Sequence, residues 1–168
     1  EQNARIAADN ALAARIVALR TDLDSLRTHF NVRVVAMEDG LRFQMPITFA
    51  FDDATVGSDA RPMLERFVRV ANRYYPASTI TIEGFADPAG SQAYNLALSQ
   101  RRAENVRAEL ASLGLASNPL RAVGYGETRL VVPDAARNDP GAKTNRRVVF
   151  VIENAGQEGL VALALPSR

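Results

Sequence analysis

The sequence predicts an α+β fold in which one mixed sheet carries helices packed on a face. Three observations predict it. From residue 47 onward, short β-rich runs alternate with two long helical periodicities in the order β-α-β-α-β-β, a pattern that builds a two-layer sheet and helix core. The run Val148-Val149-Phe150-Val151-Ile152 is continuously apolar, as a strand buried on both faces is. Hydrophobic residues make up 47% of 168 residues, enough for one core plus an appendage.

Ahead of this core the spacing predicts an N-terminal helix and a β-hairpin. Residues 1–31 contain no Gly or Pro, and Leu12, Ile16, Leu19, Leu23, Leu26 and Phe30 recur at alternating spacings of four and three. That is a heptad seam of under three heptads. It suits a homodimer with a second copy or packing along the following domain, and both readings stay open; a spacer from a membrane anchor is compatible with either. Residues 31–45 read as a hairpin around Asp39-Gly40. Leu41, Phe43 and Met45 alternate with Arg42 and Gln44, whereas the buried face of the preceding arm cannot be read. Ile47, Phe49 and Phe51 continue the alternation after Pro46 and predict that a strand resumes.

A helix follows over 59–75, with Ser58 or Asp59 to cap it, Pro62 in its first turn and Pro76 to stop it. Its apolar face is Leu64, Phe67, Val68, Ala71 and Tyr75. Residues 79–83 form a strand with Ile80 and Ile82 on one face. The next helix runs over 91–113 to Gly114, with a core stripe of Leu96, Ala103, Val106, Leu110 and Leu113. A brief strand at 120–123 precedes Gly124-Tyr125-Gly126-Glu127, then a long polar loop with Pro133, Pro140 and Gly141, and the last strand at 147–153. The domain plan is therefore a helical arm over 1–31, a core with its hairpin over 32–153, and a tail over 154–168 whose residues 160–165 dock weakly on the domain.

Composition removes several functions. A net charge of +1 sets up no field to recruit nucleic acid, and Arg101, Arg102 and Arg107 are interspersed with Glu104 and Glu109 as on a solvated helix face. Lys143 is the only lysine among 20 basic residues; codon bias explains this better than any need for guanidinium. With no Cys, disulfides and Cys-rich zinc sites are excluded. The single histidine, His29, lies on the N-terminal helix, so a Ser-His-Asp triad in the core is disfavoured. Gly124-Tyr125-Gly126-Glu127 lacks the third Gly and the Lys-Ser/Thr of a phosphate loop and reads as a tight turn. Asp52 and Asp53 suit a turn better than a cation site. Glu83 and Asp87 are close in sequence, but nothing tunes them as the acid and base of a glycosidase. No run reaches the roughly 18 apolar residues of a membrane-spanning helix, and the chain opens on Glu1 without a signal peptide or initiator Met, as a mature or trimmed fragment does.

The most informative stretch runs from Ile82 to Ala103: a strand, a Gly/Pro turn with Asp87, and a polar helix start that leads to Arg102. The matching residues are Gly84, Asp87, Gly90, Tyr94, Asn95, Leu98, Ser99, Arg102 and Ala103, then Gly124, Gly126 and Glu127, then Asn145, Arg146 and Arg147, with Phe49-Ala50-Phe51-Asp52 upstream. In this order the chain resembles the OmpA-like peptidoglycan-binding domain over residues 47–153. The usual His-Thr pair is Phe85-Ala86 here. The resemblance implies non-catalytic binding, without a cofactor, of the peptide stem of peptidoglycan, chiefly its diaminopimelate residue. The free end of that residue is a zwitterion. Asp87 would accept its ammonium, Arg102 would grip its carboxylate as a two-donor fork, and Asn95, Arg146 and Asp52 would line or brace the site. Asn95, Leu98 and Arg102 sit at i, i+3 and i+7 of one helix face. Arg102 nevertheless lies about 16 Å along its helix, so the Asp87 turn must fold back along the helix flank. The resemblance further implies a periplasmic location and a cell-wall anchor of the outer membrane, by lipoprotein or barrel. The alternative is a stator or secretion-system component resembling MotB, held in the inner membrane. An enzyme acting on the wall with Glu83 as acid is the third reading.

Overall fold

The computed structural model describes residues 1–115, 117–129 and 145–165. Among them lie four α-helices, α1 (Gln2–Phe30), α2 (Arg61–Tyr74), α3 (Gln92–Ser112) and α4 (Glu158–Ala164), and five strands, β1 (Arg33–Met37), β2 (Gly40–Met45), β3 (Ile80–Gly84), β4 (Leu120–Gly124) and β5 (Val148–Glu153). The strands form one mixed sheet in the order β1-β2-β5-β3-β4. Only β3 and β4 are parallel, joined through α3; the other pairs are antiparallel. The apolar run at 148–152 is thus the central strand, covered on both faces.

The helices share one side of the sheet. Phe67 of α2 reaches Phe43 of β2 edge-on at 5.1 Å and Phe150 of β5 at 4.7 Å. Leu19, Leu23 and Leu26 of α1, Val106 and Leu110 of α3 and Ala162 of α4 join that same cluster. Burying each such leucine is worth about 1.5–3 kcal/mol. The seam of α1 is therefore spent within the chain over its second half, while residues 1–14 stand exposed, Leu12 included. The tail holds more structure than weak docking implies. Arg15 pairs with Glu158 at 2.8 Å, and Arg20 donates to the Ala162 and Leu163 carbonyls, which satisfies the C-terminal end of α4.

Four expectations need correction. Residues 47–51 form no strand: the Phe49 and Ala50 carbonyls accept from Arg146 and Arg102 instead of from a neighbouring strand. Burial still alternates at Ile47 and Phe49, which is what the sequence pattern detected. Gly40 is the first residue of β2 rather than a turn residue; the turn is Glu38-Asp39, and a Cβ at Gly40 would lie 2.1 Å from the Ile152 carbonyl oxygen. Neither Ser58 nor Asp59 caps α2, which emerges from a 3₁₀ turn, Ser58–Ala60, with Pro62 in its first turn. Leu96 is not core: it is 51% exposed, and the first half of α3 buries Asn95, Leu98, Ser99 and Arg102 instead. The long polar loop expected after Glu127 lies mostly outside the described residues.

Candidate functional site

The chain leaves the C-terminal end of β3 as Phe85-Ala86-Asp87, and α3 crosses directly over that end. Ser91 starts α3 by accepting from the Tyr94 amide at 3.1 Å. Two glycines allow the crossing. A Cβ at Gly84 would lie 2.2 Å from the Ser99 carbonyl oxygen, and one at Gly124 would lie 2.3 Å from the Gln100 nitrogen. Side chains then stitch helix to strand end. Gln100 accepts from the Gly124 amide at 2.7 Å and donates to the Ala122 carbonyl at 3.0 Å, and the Ser99 hydroxyl accepts from the Gly126 amide at 2.8 Å. The middle of α3, not its start, therefore sits over the end of β3. This is how Arg102 reaches the Asp87 turn despite its distance along the helix.

All five candidate residues, Asp52, Asp87, Asn95, Arg102 and Arg146, line one narrow cleft with Phe51, Ala86, Ala89, Tyr94 and Leu98. The room inside for a water-sized molecule is only about 10 Å³, so a ligand must move side chains to enter. Asp87 is buried; one carboxylate oxygen accepts from the Ala89 amide at 3.0 Å and the other from Arg146 at 2.7 Å. Arg146 also donates Nε–H to the Phe49 carbonyl at 2.9 Å. Asn95 is buried and donates to Glu127 at 3.4 Å. Asp52 is exposed at the rim, in a turn, with a φ of 56°.

Arg102 is fully buried and is not bonded to Asp87. Its guanidinium is held by backbone: Nε–H to the Asp53 carbonyl at 2.8 Å, and the terminal nitrogens to Ala50 at 3.2 Å and Phe85 at 3.4 Å. It also lies over the Phe49 ring, 4.9 Å from the centroid. Of its five donors, these bonds leave one N–H on each terminal nitrogen, a pair suited to two carboxylate oxygens. Burial, and then repulsion from Arg146, pushes its pKa down to about 10. It therefore remains a cation at neutral pH, in a place where a charge is costly without a counter-ion.

The two arginines of the Arg146-Arg147 pair part to opposite faces of the sheet. Arg147 stacks over Phe85 at 4.0 Å, and the same ring stacks with Tyr125 at 5.5 Å between centroids. Phe85 packs with Val149 and Val151, away from the cleft. Of the Phe85-Ala86 departure, only Ala86 faces the cleft. Glu83 also lies on that other face, bonded to Arg42 at 2.8 Å, so it does not join Asp87. Ser99, Gln100 and Glu127 position the site; the motif order marks Ser99 and Glu127 without giving them this role, and it does not mark Gln100. Gly84 and Gly124 were the available signals for this close crossing.

A model of the OmpA family matches residues 48–146. A peptidoglycan-associated lipoprotein of Brucella melitensis is 43% identical over 112 residues, covering 66% of this chain and 64% of its own. The chain thus spans just under two-thirds of that relative's length. Among solved structures, the peptidoglycan-associated lipoprotein from Burkholderia pseudomallei superposes with a TM-score of 0.54 at 29% identity, over 64% of this chain and 92% of its own. A putative MotB-like protein from Desulfovibrio vulgaris superposes with a TM-score of 0.63 at 26% identity, over 85% of this chain and 96% of its own.

Proposed function

The chain belongs to the OmpA family, and on that premise we propose that it binds peptidoglycan without catalysis, gripping the free end of diaminopimelate in the Asp87–Arg102 cleft. The observation that carries this reading is the pairing of a buried carboxylate with two buried or nearly buried guanidiniums in one crevice. An ammonium fits Asp87, and a carboxylate fits the two unspent N–H groups of Arg102. Arg146 stands on Asp87 and must share it or swing aside as the ammonium arrives.

The layout of the molecule supports an anchoring role in the periplasm. Arg15 and Asp22 of α1 bond to Tyr74, just before β3, whereas the cleft lies just after it. The exposed half of α1 therefore leaves from the end opposite the cleft, as a stalk between a membrane and the wall would. An outer-membrane lipid anchor is the first reading, after the lipoprotein relatives. A MotB-like component is the second, favoured by the likeness to the Desulfovibrio protein across 85% of this chain, beyond the family's own span.

The test is co-sedimentation with purified diaminopimelate-type peptidoglycan, using Asp87→Asn and Arg102→Lys, which keep most of the side-chain volume. Each is expected to lose binding while far-ultraviolet circular dichroism stays native. Undiminished binding by both overturns the site. The mass of the protein in solution separates monomer from a dimer formed through α1.

A further inference from the structure

We propose that the groove between α1 and α2, a face separate from the cleft, binds the phosphate headgroups of an anionic lipid surface. Arg66, Arg69 and Arg73 stand at i, i+3 and i+7 of α2, one row with about one turn between neighbours. They line a groove of about 410 Å³ with Asp22, Val70 and Asn72. Three guanidiniums thus face one carboxylate. Asp22 already accepts from the Tyr74 hydroxyl at 2.6 Å and from Arg73 at 3.5 Å. Arg66 spends one terminal nitrogen on the Ser25 hydroxyl at 2.8 Å, and its Nε is buried without an acceptor. Arg69 is exposed and makes no hydrogen bond or ion pair among the described residues. By contrast, Arg61 meets Glu65 and Arg146 meets Asp87 as closed pairs, and Glu83 and Asp24 each hold the arginines beside them, Arg42 with Arg129 and Arg20 with Arg27. The charged side chains that line the groove carry an excess of two positive charges, on a chain whose net charge is +1.

An arginine fork matches two phosphate oxygens. A row of forks spread along a helix suits the repeated charges of a surface better than one small anion. The row runs along α2 toward Tyr74, the end at which the exposed half of α1 departs.

The full chain is tested by flotation with vesicles of phosphatidylcholine containing one-third phosphatidylglycerol, against vesicles of phosphatidylcholine alone. Binding is expected only with the anionic vesicles and is expected to weaken as salt rises. Arg69→Glu, which breaks no hydrogen bond or ion pair among the described residues, should weaken it at least about fivefold. Arg66→Gln, Arg69→Glu and Arg73→Gln together should abolish it, while Asp87→Asn leaves it unchanged. Thermal melting of each variant separates loss of binding from loss of fold. No binding, equal binding to neutral vesicles, no effect of Arg69→Glu, or displacement by millimolar inorganic phosphate overturns the proposal. Because Asp87→Asn should fail on peptidoglycan and pass here, the two readings fail separately.

Discussion

Asp87 and Arg146 meet at 2.7 Å with 5% and 11% of their side chains exposed, whereas Arg15 and Glu158, at the other end of the molecule, meet at 2.8 Å with 40% and 31% exposed. The chemistry and the distance are the same; the surroundings are not. In water the second pair is screened and is worth about 0–1 kcal/mol. In the cleft, removing one partner leaves the other desolvated and costs several times more. The cleft also solvates a whole guanidinium, Arg102, with backbone carbonyls. The α1–α2–α4 end instead uses its charges as clips over an apolar seam, with Leu19, Leu23 and Leu26 beneath. One end is held by hydrophobic burial and trimmed by charge, while the other is held by its charges.

The largest test of this contrast is Arg102→Ala. It opens a cavity and takes the donor from three carbonyls, of which that of Phe85 is buried, with an expected loss of about 3–4 kcal/mol in chemical denaturation. Arg146→Ala should cost about 2–3 kcal/mol, since Asp87 keeps its bond from Ala89. If either variant unfolds at the wild-type midpoint, the cleft is not held by its charges. Glu158→Gln, at the other end, should shift stability by no more than about 1 kcal/mol; a loss as large as that of Arg146→Ala would erase the distinction.

The smallest effect is a titration. Burial first, and then the bond to Asp22, raises Tyr74 to about 12, and burial raises Tyr75 to about 12. Folding favours the neutral phenol, so this contribution is whole below the ordinary pKa near 10 and is lost as pH climbs through about 12. An ultraviolet titration of the folded protein should show both ionising late. Asp22→Asn should bring Tyr74 part of the way down, because burial remains. Ionisation of Tyr74 at its ordinary pH would contradict the packing of that end.

Where the sequence was readable, the structure follows it closely. Helix periodicity placed α1 and α3 almost to the residue, since a long amphipathic repeat has few competing explanations. Leu96 is the instructive failure. It fitted a stripe with Ala103 and Val106, but the first half of α3 faces a polar cleft, so the inward positions are Asn95, Ser99 and Arg102. Hydrophobic pattern cannot identify a face that is buried yet polar. Residues 47–51 failed for the same reason: alternation recorded which side is buried, and only the arginines opposite decided that their carbonyls join no sheet.

By itself, the sequence determined the fold class, the central strand, the family resemblance and the short list of cleft residues, because these rest on local periodicity and on motif order along the chain. Tertiary structure alone decided who pairs with whom. Asp87 takes Arg146 rather than Arg102, the two halves of Arg146-Arg147 serve opposite faces, and the seam of α1 closes on its own domain over half its length. The physical reason is that an ion pair or a buried guanidinium is settled by distance and dielectric between segments far apart in the chain. Neither quantity is written in the order of residues.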